Sequence, residues 1–167
     1  MAKNDNWTTP QPLYDWLHER CNFNVDAAAS KKNTKCKRFY SKENSFLDIP
    51  IDKLGNHLVK IKARIFCNPP YSLDMEFAQR LRYLAATYSI PSYILLPQRC
   101  DRIWFQQFRN SKIVKEEPFT GRIHFGNAGK GAFMYSVGMF VGFKDVKVRK
   151  WIDAGQFNEG GKGGATF

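Results

Sequence analysis

The strongest hydrophobic pattern in the chain lies in residues 74–88, DMEFAQRLRYLAATY. Its apolar residues recur every three or four positions, which predicts an amphipathic helix with one buried face. Asp74 stands at the start of this segment, where a carboxylate caps exposed backbone N–H groups. Residues 7–21 predict a second helix, because Thr9 suits a cap, Pro10 suits the first helical position, and apolar residues follow at helical spacing.

Two short apolar runs predict buried strands, ARIFCN at residues 63–68 and SYILLP at residues 92–97. Both are bounded by polar residues or proline, and Pro69 stops the first. The other predicted elements are helices at residues 51–61, 101–110 and 146–157, and strands at residues 22–26, 38–40, 111–117, 121–126 and 132–143.

Strands that alternate with helices predict an α/β domain with a largely parallel sheet. The length of 167 residues indicates a single domain spanning residues 1–167, with flexible tails at residues 1–6 and about 156–167. In parallel sheets, ligands bind beyond the carboxyl ends of the strands. Asp26 and Asn68 each follow such an end, so this edge is the predicted site.

The chain is strongly basic, with 26 Lys and Arg against 15 Asp and Glu and a formal net charge of +11. A small domain this basic is typical of proteins that bind a polyanion such as nucleic acid or an anionic membrane surface. Residues 30–64 concentrate ten basic side chains against three acidic ones. Phosphate contacts by such a segment give salt-dependent affinity.

Targeting and metal-binding signals are not evident in the sequence. No stretch approaches the roughly 20 apolar residues that span a bilayer, and the polar start lacks the apolar core of a signal peptide. The 4 cysteines are widely spaced without a C-x-x-C pair, and the 3 histidines are scattered, so we predict no metal site. Free thiols fit a reducing compartment, and we expect a cytoplasmic protein.

Residues 68–71, Asn-Pro-Pro-Tyr, follow a predicted buried strand without the glycine that tight turns use. Proline fixes its own φ and has no N–H, and it favours an extended residue before it, so the carbonyl of Pro69 is held beside the side-chain carbonyl of Asn68. Two rigid acceptors suit a planar –NH2 group, and Tyr71 offers a face for a stacked ring. The tetrapeptide therefore predicts a pocket for an aromatic or amide –NH2.

Six segments occur in an order that resembles the phage and prophage DNA N-6-adenine methyltransferases, often called Dam-like: WTTP, FNVDAAAS, NTKCKRFYSKENSF, IFCNPPYS, LLPQRCDRIWF and GRIHF. The similarity extends from about Trp7 to Phe143. It implies a Rossmann-like S-adenosylmethionine-dependent methyltransferase fold, with a mostly parallel sheet, helices on both faces and an antiparallel C-terminal strand. It also implies methyl transfer to the exocyclic amine of an adenine flipped out of double-stranded DNA.

The resemblance implies roles for individual residues. Asn68 and the Pro69 carbonyl would bind the amine and Tyr71 would stack on the base, with Pro70 completing the catalytic set. The donor would be held by residues near the start of the chain and around two strand ends: Trp7, Thr8, Thr9, Pro10, Asp26, Ala27, Asn44, Ser45, Phe46 and Asn68. The chain departs from many methyltransferases in having DAAAS where a glycine-rich loop is usual, and NSF where an acidic element is usual.

Contacts to double-stranded DNA are assigned to basic residues of the loops: Lys31, Lys32, Lys35, Lys37, Arg99, Arg102 and Arg122. Arg99 would contact phosphate or base, whereas Asp101 is equally suited to capping a helix. Alternatives remain open at this level. The same tetrapeptide suits adenine in RNA, cytosine N4 in DNA or a glutamine amide, and a basic domain that has lost donor binding would only bind DNA.

Overall fold

The computed structural model describes residues 7–126 and 134–158. The α-helices in these ranges are α1 (Gln11–Cys21), α2 (Ile51–Lys60), α3 (Asp74–Tyr88) and α4 (Ile103–Arg109). The strands are β1 (Val25–Asp26), β2 (Arg38–Phe39), β3 (Ile65–Cys67), β4 (Ser92–Pro97), β5 (Val114–Thr120), β6 (Ser136–Val141) and β7 (Ile152–Asp153). Short 3₁₀ helices occupy Tyr71–Leu73 and Ala154–Phe157.

The described strands form one mostly parallel sheet in the order β2-β1-β3-β4-β6-β5-β7. β2, β1, β3 and β4 pair in parallel, β6 is antiparallel to both of its neighbours, and β7 is parallel to β5. The mixed α/β class and the mostly parallel sheet are therefore confirmed. The antiparallel strand β6 lies within the segment predicted as the late apolar strand.

Helices cover both faces of the sheet. Along β4, Ile94 and Leu96 face one hydrophobic core, whereas Tyr93 and Leu95 face the other, as the two-residue period of a strand requires. The first core is closed by the apolar faces of α2, α3 and α4, and the second by α1 together with the C-terminal segment. Both faces being covered explains why β4 and β6 read as continuous apolar runs.

Two predicted elements are wrong. Residues 121–126 form no strand, although Ile123 and Phe125 are both buried in the second core. Their alternation has the period of a strand, but their neighbours bond elsewhere: the Gly126 N–H donates to the Thr8 carbonyl and the His124 N–H to the Asn158 side chain. The alternating pattern thus reflects packing of an irregular segment against a covered sheet face.

The predicted C-terminal helix at residues 146–157 is also absent. This segment instead contains β7, paired through Ile152 with β5, and the 3₁₀ helix Ala154–Phe157. Phe157 is buried against Trp16, so the predicted tail starting at about residue 156 began too early. Residues 1–6 and 159–167 of the predicted tails lie outside the described residues, as does part of the predicted strand at residues 132–143.

A buried ion pair joins α1 to the sheet. The Arg20 guanidinium donates two parallel hydrogen bonds to the Glu117 carboxylate, at 2.8 and 2.7 Å, and Glu117 is 0% exposed. Glu117 also accepts from the backbone N–H of Arg149, and Arg20 donates to the Lys147 carbonyl. One carboxylate therefore fixes both α1 and the segment that follows β6.

The described residues lack two kinds of feature. No helix among them is both long and apolar enough to cross a membrane. Across residues 7–126 and 134–158 there is no group of three or more His, Cys, Asp or Glu side chains that could hold a metal ion. All four cysteines are free thiols, three of them buried and Cys100 exposed.

Candidate active site

The ends of β1 and β3 lie side by side at one edge of the sheet. Asp26 is in register with Phe66, and the Ala27 N–H donates to the Phe66 carbonyl at 2.9 Å. Asn68 follows one residue after β3, so the polar residues that end the two strands share this edge, as the parallel arrangement predicts.

A cavity of about 610 Å³ opens at this edge. Its volume lies within the range of roughly 300–1,000 Å³ that small-molecule and cofactor sites occupy. Several residues assigned to the site from sequence line it: Trp7, Thr8, Ala27, Ser45, Phe46 and Asn68. Pro70 and Lys32 are also part of its wall. The lining therefore joins the start of the chain, the loop after β1, the loop after β2 and the Asn-Pro-Pro-Tyr segment.

The side chain of Asn68 is held at the cavity by the start of the chain. Its Nδ2 donates to the Trp7 carbonyl at 2.7 Å and to the Thr9 hydroxyl at 2.9 Å. Its Oδ1 is buried and accepts no hydrogen bond from any residue in the described ranges. A buried carbonyl oxygen without a donor is costly, so this atom is suited to a ligand N–H.

Tyr71 and Trp7 form a stacked pair beside Asn68, with ring centroids 5.9 Å apart and planes inclined by 26°. Trp7 also meets the edge of Phe125, with ring centroids 5.7 Å apart. Trp7 therefore connects the Asn-Pro-Pro-Tyr segment to the irregular segment 121–126. One face of the tyrosine ring is covered by the tryptophan.

Three aromatic side chains, Tyr40, Phe46 and Phe77, form an aromatic wall of the cavity, and the sequence predicted only one of them. Phe46 was assigned to the donor site, and it is buried between Tyr40, which meets it edge-on, and Phe77, which stacks on it at 6.1 Å. Tyr40 and Phe77 both line the cavity and were missed. The signal for Phe77 was present, since it lies on the apolar face of α3, but periodicity alone does not separate core from cavity wall.

Glu43 is the acidic side chain of the cavity lining, and sequence analysis did not assign it. Its carboxylate accepts from the Ser41 hydroxyl at 2.6 Å, and this bond holds the pKa of Glu43 below its usual range. Asn44, which was assigned, is exposed and does not belong to the lining. The acidic residue at the cavity is thus Glu43, which directly precedes the predicted element Asn44-Ser45-Phe46.

Asp26 is buried and does not belong to the cavity lining. It is 2% exposed, and its two carboxylate oxygens accept from the backbone N–H groups of Lys35 and Ala28, at 3.0 and 3.3 Å. These bonds tie the loop after β1 to the strand end. Burial raises the pKa of Asp26 to about 6, although the two backbone hydrogen bonds partly offset that effect.

The raised pKa of Asp26 gives an expected pH dependence of stability. An unfolded Asp titrates near 3.9, so between roughly pH 4 and 6 the folded state binds more protons than the unfolded state. The free energy of unfolding should therefore fall as pH rises through this window, by up to roughly 3 kcal/mol from this group. Urea unfolding across the window would measure it, with Asp26→Asn as the comparison. If the free energy of unfolding depends on pH in the same way in wild type and Asp26→Asn, the raised pKa of Asp26 is contradicted.

The basic residues assigned to DNA fall into two groups. Lys31, Lys37, Arg102 and Arg122 are exposed, and Lys32 is exposed at the cavity wall. The other two are engaged within the protein: Lys35 donates to the Gln11 side chain at 2.8 Å, and Arg99 pairs with Asp74. Arg99 also donates to the Tyr71 carbonyl at 3.2 Å. From the sequence, Arg99 is one of the loop residues expected to contact DNA. In the structure, it contacts Asp74 and the backbone of the Asn-Pro-Pro-Tyr segment.

The expectation that Thr9 caps α1 is wrong. Helix α1 begins after Pro10 without a side-chain cap, and the Thr9 hydroxyl is directed to Asn68 instead. Neither Thr9 nor Pro10 belongs to the cavity lining.

The chain is similar to known proteins of one family. The family profile described as DNA N-6-adenine-methyltransferase (Dam) matches residues 1–139. A protein of Escherichia phage T1 named DNA N-6-adenine-methyltransferase is 30% identical over 112 residues, which cover 66% of this chain and 43% of the relative. The chain thus spans less than half the length of that relative. The family profile matches most of the length of this chain, which shows that the chain belongs to the Dam family of DNA N-6-adenine-methyltransferases.

Proposed function

We propose that this protein is a DNA adenine N6-methyltransferase that uses S-adenosylmethionine and has a Rossmann-like methyltransferase fold. The observation that carries the proposal is the buried Oδ1 of Asn68, which accepts no hydrogen bond within the described residues and belongs to a side chain that lines the cavity at the carboxyl edge of the sheet. Family membership supports the same reaction. The cytoplasm, where DNA and the methyl donor are both available, is the expected location.

The cavity fits the methyl donor by its chemistry. Phe46, Phe77 and Tyr40 provide an apolar aromatic wall for a purine ring, and Glu43 provides an ionised acceptor for hydroxyl groups. Ala27, Ala28 and Ala29 are small, so the backbone after β1 can approach a ligand closely, as glycines would allow. S-adenosylmethionine supplies an electrophilic methyl group on a sulfonium. Its adenosine part would lie against the aromatic wall.

The acceptor amine would be bound by the Asn-Pro-Pro-Tyr segment. The exocyclic amine of adenine is a poor nucleophile, because its lone pair is delocalised into the ring. Asn68 Oδ1 and the Pro69 carbonyl would accept its two hydrogens and so localise the lone pair on nitrogen. Positioning and hydrogen bonding supply the rate enhancement, and the proton released after transfer passes to water. Tyr71, whose ring lies beside Trp7, would stack on the base.

A base within a duplex cannot reach this cavity, so the adenine would have to flip out at a cost of a few kcal/mol. Lys32 and Lys42 are exposed residues of the cavity lining, and Lys31 and Lys37 are exposed residues of the same part of the chain. These four lysines suit contacts to the phosphates on either side of the flipped base. Arg99 is better suited to holding the Tyr71 carbonyl and Asp74 than to contacting DNA, since both of its bonds are internal.

The proposal is tested by mixing the purified protein with radiolabelled S-adenosylmethionine and, separately, unmethylated duplex DNA, RNA and a protein extract. We expect label in DNA, recovered as N6-methyladenine after digestion to nucleosides. Label in N4-methylcytosine, in RNA or in glutamine would identify a different planar amine as the substrate. If the protein binds DNA but transfers no methyl group to any of these substrates, the result would identify it as a DNA-binding domain without transferase activity.

Replacing Tyr71 should separate base binding from donor binding. Base–aromatic stacking contributes roughly 1–3 kcal/mol, so Tyr71→Ala should raise the KM for DNA about 10-fold or more. The Kd for S-adenosylmethionine, measured by calorimetry, should stay within about twofold, since the donor is held elsewhere in the cavity. Tyr83→Ala, which removes an exposed tyrosine of α3, is the matched control. Loss of donor binding with an unchanged KM for DNA would contradict the stacking role.

A further inference from the structure

The orientation of the Asn68 side chain decides what chemistry it can offer. An asparagine amide presents a carbonyl oxygen on one side and an –NH2 group on the other, and the two sides have nearly the same shape. Only the neighbouring hydrogen-bonding groups determine which side faces a ligand. For a substrate amine, the oxygen must face the ligand.

The neighbours of Asn68 settle this orientation. The Trp7 carbonyl oxygen, 2.7 Å from Nδ2, can only accept a hydrogen bond, so a rotated amide would bring two oxygens together at this distance. The Thr9 hydroxyl lies 2.9 Å from the same nitrogen and accepts its other hydrogen. Both hydrogens of the amide are therefore used by residues 7–9, and Oδ1 is the atom left over.

Thr9 lies behind the residues that line the cavity. It is 4% exposed and is not part of the lining, although its neighbours Trp7 and Thr8 are. The segment that carries it is fixed by the Thr8 carbonyl, which accepts from the Gly126 N–H at 3.0 Å, and by the stack of Trp7 on Tyr71. A hydroxyl held in this way acts on the site through Asn68.

We infer that Thr9 is a positioning residue that, with the Trp7 carbonyl, fixes the Asn68 amide so that only its oxygen faces the substrate amine. This inference rests on the proposed function and adds a restriction on position 68. The Trp7 carbonyl can only accept, so it requires a hydrogen-bond donor at position 68, whereas the Thr9 hydroxyl can also donate. Asparagine therefore cannot be exchanged for ionised aspartate, which also offers an oxygen to the substrate but has no hydrogen for the Trp7 carbonyl.

The first test replaces Thr9 by valine, which has the same shape without the hydroxyl, and by serine, which keeps it. The kcat of Thr9→Val should fall about tenfold, the value of one hydrogen bond, with the Kd for S-adenosylmethionine and the KM for DNA unchanged. Thr9→Ser should retain most of the wild-type kcat. Equal loss in both variants would assign Thr9 a packing role and overturn the inference.

A spectroscopic measurement tests the inference without any turnover. The side-chain amide signals of Asn68, assigned by their loss in Asn68→Ala, report on the hydrogen bonds of both amide hydrogens. In Thr9→Val one hydrogen should shift and exchange faster with solvent, whereas Thr9→Ser should resemble the wild type. If the wild type transfers no methyl group but these signals respond, the proposed function fails and the orientation stands. Unchanged signals in Thr9→Val overturn the orientation.

The second test is Asn68→Asp. An ionised carboxylate would face the Trp7 carbonyl oxygen, whereas the protonated acid can donate to that oxygen and still offer its own carbonyl to the substrate. Transfer by the variant should be lost at about pH 8 and recover relative to wild type toward about pH 5.5, because a neutral partner and burial favour the protonated form. A variant as active as wild type at the higher pH would show that no donor is required at position 68.

Discussion

Asn68→Ala is expected to reduce methyl transfer by about 100- to 1,000-fold, the loss seen when one hydrogen-bonding group of a transition-state site is removed. The substitution deletes the buried Oδ1, which is the acceptor proposed for the substrate amine. It also removes the donor to Trp7 and Thr9, which loosens the start of the chain. The rate would be measured in single-turnover experiments with saturating donor and DNA, so that binding is not limiting.

Donor binding should survive this substitution. The aromatic wall and Glu43, which are proposed to hold S-adenosylmethionine, are contributed by other segments. The Kd for the donor, measured by calorimetry, should therefore change by no more than a few-fold. Asn56→Ala, which changes an exposed asparagine of α2, is the matched control and should leave the rate unaltered. A single-turnover rate near that of wild type in Asn68→Ala would exclude the amide as the amine acceptor.

Glu117→Ala is expected to destabilise the protein by about 3 kcal/mol, because it leaves the Arg20 guanidinium, which is only 17% exposed, without its counter-ion. Glu117 is fully buried, and it binds Arg20 through two hydrogen bonds and the Arg149 N–H through a third. The free energy of unfolding would be obtained from urea denaturation. A loss of this size is a large part of the 5–15 kcal/mol that stabilises a typical domain.

The adjacent residue provides the control for this prediction. Glu116 pairs with Arg109 at 2.6 Å, but both side chains are partly exposed, and surface pairs contribute roughly 0–1 kcal/mol. Glu116→Ala should therefore cost about 1 kcal/mol or less in the same experiment. Equal losses in the two variants would mean that burial does not distinguish the two ion pairs.

The central part of the fold was predictable because its patterns are regular. Residues 74–88 form α3 over the predicted span, and SYILLP forms β4 over its predicted span. The edge that joins Asp26 and Asn68 followed from the parallel order of the strands. In each of these cases the local pattern and the covered sheet face favour the same structure.

The rest depended on contacts between distant parts of the chain. Ile123 and Phe125 alternate like a strand, yet their segment pairs with no strand, and only the cover over the second core explains their burial. Thr9 has the residue type of a helix cap, but its hydroxyl bonds to a side chain 59 positions later. From the sequence, Arg99 has the features of a surface cation, whereas in the structure it pairs with Asp74. The spacing of hydrophobic residues within a segment does not predict contacts between residues that are distant in the sequence.

The buried carboxylate of Glu117 also bears on where the folding unit ends. The family match stops at residue 139, within β6, yet the Arg149 N–H and the Lys147 carbonyl complete the Arg20–Glu117 pair. Phe143, Val146, Ile152 and Phe157 then cover the second core. A fragment ending at residue 139 would lose the last two residues of β6 and the segment that covers one core. The segment matched by the family profile is thus shorter than the segment that packs together as one structure.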